Sequence, residues 1–445
     1  MSSELALFGG PKAVTANAEE INDMFKWPII TKEAEEAVLE VLRAGNMSGT
    51  NVTMQFEREF AAWQGVKYAL AHNNGTSALL TSLFAIGLGA GDEMICPSNT
   101  YWASALPAYS LGATVVFADV DPNTLCIDPG DIERCISNRT KAIMVVHFCA
   151  HPADMDAIMA IAKKHNLKVV EDVSHAQGGL YKGRKLGTIG DIAAMSLMST
   201  KSFAVGEGGI LVTDSLEYYE RAIAFGHYER FNAGIQTESL KPFIGLPMGG
   251  VKARMHQMSS AVGRDQLKHY DRQAAEIRKA LNCFWDMLEG VQGIRPHRVS
   301  EAEGSNMGGW FAARGFFRPE ELDGLSVSRF CEALVAEGVP ANPGFISALH
   351  GHPLFQTADI YNEGKPTRIA KARRDVRELD KGLKLASLVG TRIYSAPWFK
   401  KYRPEIIGQY AEAFKKVLRN YRELLKDDPG NPPDLGVWHF SHIKK

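Results

Sequence analysis

A chain of 445 residues exceeds what one hydrophobic core usually serves, so two structural regions are expected. With 45% apolar and 23% charged residues the composition is that of an ordinary globular protein, and no apolar run approaches the roughly 18 residues of a membrane span. A formal net charge of -1 gives no electrostatic reason to expect nucleic acid or anionic lipid, which leaves small molecules as the expected partners.

The opening arm, residues 1–30, holds Trp27-Pro28 and has neither the basic start nor the apolar core of a signal peptide, so a cytoplasmic protein is expected. Thr31 to Leu42 then shows helical apolar spacing (Ala34, Ala37, Val38, Val41, Leu42) with Thr31 as N-cap. Ala34 at the third helical position rules out a capping box, while Glu33, Glu35 and Glu36 suit the positive end of the helix dipole.

From Tyr68 to Asp214 short apolar runs alternate with helix-length segments. The runs are Tyr68 to His72, Glu93 to Cys96, Thr114 to Ala118, Ala142 to His147, Lys168 to Glu171, Ala193 to Leu197 and Ile210 to Thr213. Helices are predicted over Thr76 to Ile86, Trp102 to Leu111 and Asp154 to His165, the alternation of an α/β domain with a largely parallel sheet, assigned to residues 31–288. Asn232 to Val251 reads as a long loop, and Gln257 to Met287 as a helix linking the two regions. Beyond Gly290, a strand over Trp310 to Phe317 and helices over Ser326 to Glu337 and Glu405 to Leu425 predict a smaller α+β domain, residues 289–426. A tail, residues 427–445, is expected to wrap over a surface. The six cysteines (Cys96, Cys126, Cys135, Cys149, Cys283, Cys331) form no CxxC pair, so neither a zinc site nor a disulfide framework is expected.

Against this frame Lys201 stands out, set between Ser199-Thr200 and Gly206-Glu207-Gly208-Gly209. A lone lysine is most often a solvated surface residue. Three neighbours argue otherwise. Asp172 closes an apolar strand, where a carboxylate points into the crevice used by α/β ligands, although helix capping also explains an acid there. Asn74-Gly75-Thr76-Ser77 lies between a strand and a helix, where Gly75 permits close backbone approach and free N–H groups suit a phosphate; capping explains Thr and Ser equally well. Ser196 adds a hydroxyl just before Lys201. Together they specify pyridoxal phosphate: the lysine would hold its aldehyde as a Schiff base, the carboxylate would keep its ring nitrogen protonated, and the helix start would take its phosphate.

These segments, with Gly89-Ala90-Gly91-Asp92-Glu93, Pro97-Ser98-Asn99-Thr100-Tyr101, Asp119-Val120-Asp121, Pro152-Ala153-Asp154-Met155-Asp156 and Glu171-Asp172-Val173-Ser174-His175-Ala176, occur in order. In them the chain resembles the sugar and cyclitol aminotransferases of the DegT/DnrJ/EryC1/StrS family, a branch of fold-type I pyridoxal-phosphate enzymes. The resemblance implies that Lys201 carries the cofactor and moves the substrate proton, and that Asp172 pairs with the ring nitrogen. It places His175 near the phenolic oxygen and Tyr101 against the ring. Thr76 and Ser196, with the backbone at Gly75 and Ser77, would form the phosphate cup. Where the family commonly has an Asn donated by the neighbouring subunit, this chain has Lys252, so a homodimer with shared sites is implied and the phosphate contact changes character.

The same resemblance implies an amino-acid donor, glutamine or glutamate, that leaves its nitrogen as pyridoxamine phosphate. In length, in Leu5-Ala6-Leu7-Phe8-Gly9-Gly10 and in Ala341-Asn342-Pro343-Gly344-Phe345, the chain is most similar to the inosose and aminohydroxybenzoate-type branch, which implies a keto-cyclitol or keto-sugar acceptor in the setting of antibiotic or amino-sugar biosynthesis. Arg230, Lys252 and Arg254 are candidate cations for the donor's α-carboxylate, and His147, His151, His227 and Tyr228 candidate partners for acceptor hydroxyls. A lyase or dehydratase reaction and a non-catalytic regulator remain alternatives. A nicotinamide site is not, because no GxGxxG follows the first strand.

Overall fold

The computed structural model describes residues 4–433 and Leu435; residues 1–3 of the predicted arm and residues 434 and 436–445 of the predicted tail lie outside them. Twelve strands form three sheets among the described residues. Seven of them, β1 (Tyr68–His72), β2 (Glu93–Pro97), β3 (Thr114–Ala118), β4 (Thr140–Val146), β5 (Lys168–Asp172), β8 (Ile192–Ser196) and β9 (Gly209–Thr213), make the main sheet in the order β1-β9-β8-β5-β4-β2-β3. Strands β6 (Leu180–Tyr181) and β7 (Arg184–Lys185) make a small ribbon.

The main sheet is covered on both faces, which is why its strands are unbroken apolar runs: Val115, Val116, Phe117, Ile143, Met144 and Val145 are fully buried. Only β9 runs antiparallel to its neighbours, pairing His72 with Gly209 and Ser196 with Gly209. Its reversal brings Gly209 to the same edge as the C-terminal ends of β1, β5 and β8. That edge carries the site.

Thr31 caps the helix Lys32–Arg43 by accepting from Ala34 N at 3.0 Å. The helix Gln257–Met287 buries Tyr270, Ala274, Ile277, Leu281 and Phe284, a stripe at three- and four-residue spacing, against the helices Lys32–Arg43, Asn51–Gln64 and Pro404–Arg419. The third sheet, antiparallel in the order β10 (Ile294–Pro296), β11 (Arg314–Phe317), β12 (Ile393–Ser395), packs through Phe330, Tyr394 and Phe414, with ring centroids 5.3 to 5.9 Å apart.

Three expected elements differ. The helix expected over Trp102 to Leu111 is a 3-10 turn, Trp102–Ser104, and a short helix, Pro107–Ser110; Pro107 has no N–H to continue a preceding turn and starts a new one. The strand expected from Trp310 begins only at Arg314, because Trp310 (φ 48°) and Ala312 (φ 56°) are left-handed, which turns Phe311 toward the main sheet. The last long helix stops at Arg419 and a separate turn, Tyr421–Leu424, follows Asn420. In the tail, Asp428 accepts from Ser326 N and Oγ at 2.7 and 2.6 Å at the start of the helix Val327–Ala336. All six cysteines are free, and only Cys283 is not fully buried. No helix among the described residues is long and apolar enough to cross a membrane.

Candidate active site

The pleat of β5 sends its last two carboxylates to opposite sides. Glu171 turns inward, where burial pulls its pKa up, but hydrogen bonds from His147 and from Gly190 and Gly187 N–H outweigh this and hold it below the usual range. Asp172 turns into a cavity of about 370 Å³. Its Oδ2 accepts from Ser104 Oγ at 2.8 Å and its Oδ1 from Ser174 N at 3.0 Å, which fixes the carboxylate plane.

Lys201 lines the same cavity from the loop between β8 and β9. Its backbone is fastened at both ends, with its N–H donating to Met198 O at 2.8 Å and its carbonyl accepting from Trp27 Nε1 at 2.8 Å. The Nζ lies 4.2 Å from the centroid of the Phe311 ring. Burial pulls its pKa down to about 8, against the opposing pull of Asp172 and Cys149, so the amine gives up its proton far more readily than an exposed lysine, although the protonated form still predominates near physiological pH.

His175 is buried beside Phe311, with ring centroids 4.8 Å apart, and its Nδ1 accepts from Cys149 N at 3.2 Å. Burial first, then the charges of Lys201 and Arg314, push its pKa well down, so the ring is neutral and its proton sits on Nε2.

The floor is made by close backbone approach. A Cβ on Gly75 would fall 2.6 Å from Ser196 Cβ, and one on Gly209 would fall 2.3 Å from Asn74 O, so two glycines let β1, β8 and β9 meet at the start of the helix Gly75–Ala85. Asn74 caps that helix by accepting from Ser77 N at 2.8 Å. The Ser77 N–H expected to be free is therefore taken, and Ser77 is not among the cavity-lining residues; Gly75 and Thr76 are, with N–H groups that have no partner among the described residues. Ser196 and Tyr101 line the cavity too, the Tyr101 ring 4.8 Å from Trp102.

Lys252 is exposed, its Nζ 5.8 Å from the Tyr228 ring centroid, and lies outside its own chain's cavity. The other polar candidates are corrected by their partners. Arg230 is bound to Glu57 Oε1 and Oε2 at 3.0 and 2.9 Å and to Tyr219 Oη at 2.7 Å, leaving its charge no vacancy for a substrate. Glu57→Ala is accordingly expected to destabilise the protein by about 3–5 kcal/mol, measured by urea unfolding, because Arg230 would stay buried without its carboxylate. Arg254 sits 3.5 Å from Glu229. His147 bonds Glu171 and Ala153 N, His151 bonds Pro152 O, His227 bonds Ala71 O, and none of them, nor Tyr228, lines the cavity. Sequence reasoning missed Ser104, Phe311, Phe345 and Glu207. Of these, Glu207 and Phe345 stood inside segments already singled out, though neither was assigned to the cavity.

The sequence model of the DegT/DnrJ/EryC1/StrS aminotransferase family matches residues 28–382. The chain is 41% identical over 342 residues to the spore coat polysaccharide biosynthesis protein SpsC of Bacillus subtilis, covering 76% of this chain and 87% of that protein. It is 33% identical over 343 residues to the L-glutamine:2-deoxy-scyllo-inosose aminotransferase of Streptoalloteichus tenebrarius, covering 75% and 80%. Among solved structures, the aminotransferase from Psychrobacter cryohalolentis superposes with a TM-score of 0.75 at 29% identity, over 90% of this chain and 100% of that one. The 3-amino-5-hydroxybenzoic acid synthase does so with a TM-score of 0.74 at 26% identity, over 89% and 99%. With the match spanning the main sheet, the cavity and the Lys201 loop, the chain belongs to the DegT/DnrJ/EryC1/StrS aminotransferase family and has the α/β architecture of fold-type I.

Proposed function

We propose that this aminotransferase uses pyridoxal 5'-phosphate held by Lys201 to move an amino group from glutamine or glutamate to a keto-cyclitol or keto-sugar. The observation that carries the reading is the convergence of a buried lysine of lowered pKa, a fixed carboxylate and a glycine-framed helix start on one cavity. The cofactor's chemistry fits these residues: a primary amine for an aldehyde, Asp172 for a ring nitrogen, and the free Gly75 and Thr76 N–H groups with the Ser196 hydroxyl for a phosphate. When bound, pyridoxal phosphate supplies an aldehyde that takes up nitrogen and a ring that accepts the electrons left when a Cα–H bond breaks.

Each protein group then has a defined task. Lys201 Nζ would hold the aldehyde carbon and, as a free amine once donor nitrogen has taken its place, would carry the Cα proton across the imine nitrogen to the aldehyde-derived carbon. Asp172 keeps a proton on the ring nitrogen, and Ser104 and Ser174 keep Asp172 oriented. His175, with Nδ1 occupied by Cys149 N, would offer its Nε2 proton to the phenolic oxygen, and Tyr101 would flank the ring. Tyr101, Trp102, Phe311 and Phe345 exclude water from the reacting atoms. We place the partner subunit's Lys252 at the phosphate in a homodimer, a reading supported by the exposed apolar stretch beside it, Phe243, Leu246, Met248 and Val251, of which Leu246 is 76% exposed.

The acceptor class rests on the inosose aminotransferase and the aminohydroxybenzoic acid synthase among the similar proteins. The test is an absorbance titration of purified holoenzyme with L-glutamine and L-glutamate, then with inososes and keto-sugars. Loss of the bound cofactor's band with donor and its return with an acceptor is expected. Loss of water from the cyclic substrate, with the donor left unconsumed and no pyridoxamine phosphate formed, would replace transfer by elimination.

Two further outcomes follow from the geometry. The rate at which apoenzyme captures pyridoxal phosphate covalently should rise with pH through a midpoint near 8, because the neutral amine is the reactive form and burial lowers the lysine's pKa from its usual 10.5; stopped-flow absorbance reads this directly. Gly75→Ala should weaken cofactor binding by about 10- to 100-fold, since the methyl group pushes the helix start off Ser196, with equilibrium dialysis as the measurement.

A further inference from the structure

Arg314, on β11, is 8% exposed and has no carboxylate within ion-pair distance among the described residues. One N–H bond reaches Ala313 O at 3.2 Å, while the buried Nε has no partner. The guanidinium instead lies 4.0 Å from the centroid of the Phe345 ring, beside the Cys149 thiol. Phe345 is a wall of the active-site cavity. A desolvated, unpaired guanidinium is costly, and the group that best relieves that cost is a carboxylate bound through two N–H bonds.

The covering segment is pinned by backbone hydrogen bonds only at its two ends, with Ser347 Oγ reaching Leu435 O at 3.5 Å. Gly344 (φ 66°) bonds Ile393 O at 2.8 Å and Leu349 bonds Ser98 O at 2.8 Å, but residues 345–347 between them make no backbone hydrogen bond among the described residues. Swinging the Phe345 ring aside would therefore break no ladder, and that ring touches both the guanidinium and the cavity. The cations expected to bind the donor from the sequence are taken or outside: Arg230 by Glu57, Arg254 by Glu229, and Lys252 beyond the cavity.

We infer that Arg314 anchors the α-carboxylate of the amino donor, with Phe345 covering the guanidinium until a donor displaces it. This rests on the aminotransfer reading above and names the group that reads the donor's carboxylate. The neutral acceptor has nothing for the guanidinium to pair with, so the two half-reactions should respond differently.

The test compares wild type with Arg314→Gln, Arg314→Met, Arg314→Lys and Phe345→Ala, each followed by single-turnover absorbance with L-glutamine, with L-glutaminamide, and with a keto acceptor after loading. Wild type should favour the carboxylate over the amide by about 100-fold, and Arg314→Gln should weaken glutamine about 100-fold while leaving the amide and the acceptor step within a few-fold. Arg314→Lys should keep part of the preference, and Phe345→Ala should keep it whole with a lower glutamine KM. The melting temperature of Arg314→Met should equal or exceed that of wild type, because an uncompensated buried charge is removed. Retained carboxylate preference in Arg314→Gln, or equal loss in both half-reactions, would overturn the assignment. A wild type that responds to no donor would remove the transfer reading itself, and this one with it.

Discussion

Lys201→Ala is expected to lose turnover by at least about 10⁴-fold and to lose covalent capture of pyridoxal phosphate altogether. Two measurements check this: reduction with borohydride followed by mass spectrometry, and the donor half-reaction. The variant should still hold cofactor non-covalently, because the Gly75 and Thr76 N–H groups, Ser196 and Asp172 do not depend on the lysine. Lys201→Arg should do no better, since a guanidinium stays protonated and cannot form the bond. A small primary amine added to Lys201→Ala should restore part of the proton transfer, as the cavity left by the butylamine chain has room for it. An alanine variant that still labels with borohydride at another lysine, or that turns over at an unchanged rate, would remove position 201 from the chemistry.

The loss would be this large because the structure gives the amine no understudy. Among the residues lining the cavity, no other lysine is present. Its lowered pKa depends on burial against Phe311 and on the loop fastened by Trp27, so the reactivity belongs to the position and not to the residue type alone.

How far the site could be read from sequence follows from where each residue sits. Asp172 follows one apolar run, Ser196 lies near the end of another, Gly75 precedes a predicted helix after a third, and Lys201 comes a few residues later, so strand periodicity brought them near one edge of the sheet. The helix Gln257–Met287 was legible at both ends for the same reason: a long stripe at one period. The cavity roles of Ser104 and Phe345 were not, because each arrives on an irregular connection whose course is set by tertiary packing; the segment ending at Phe345 marked a resemblance, but nothing in its pattern placed the ring in the cavity. Phe311 was hidden by reading Trp310 to Phe317 as a strand, when two left-handed residues break it. The histidines misled in the opposite sense. His147 shows a polar side chain in sequence, but in the fold both its nitrogens are committed to Glu171 and Ala153. Pairing inside a core leaves no trace in composition or period. The same blindness concealed Arg314, whose significance lies in the partner it lacks.

Asp172→Asn should lower the donor half-reaction by about 10³-fold while leaving covalent cofactor capture in place. An amide holds no formal charge to keep a proton on the ring nitrogen, so the electrons released at Cα lose their sink, whereas the lysine that forms the bond remains. A second readout separates this from simple misfolding. Asp172 pulls the pKa of Lys201 upward, against the larger effect of burial. Removing its charge should therefore move the midpoint of cofactor capture to lower pH than wild type's, so that capture at neutral pH is at least as fast while chemistry is slow. Ser104→Ala, which takes one hydrogen bond from Asp172 Oδ2, should slow the donor step by about 10-fold, in line with the roughly 1.5–3 kcal/mol of a hydrogen bond to a charged group partly replaced by water. If Asp172→Asn shifted the capture midpoint upward, or left the donor step at the wild-type rate, the carboxylate would face some other group, and the orientation of the whole cavity would have to be drawn again.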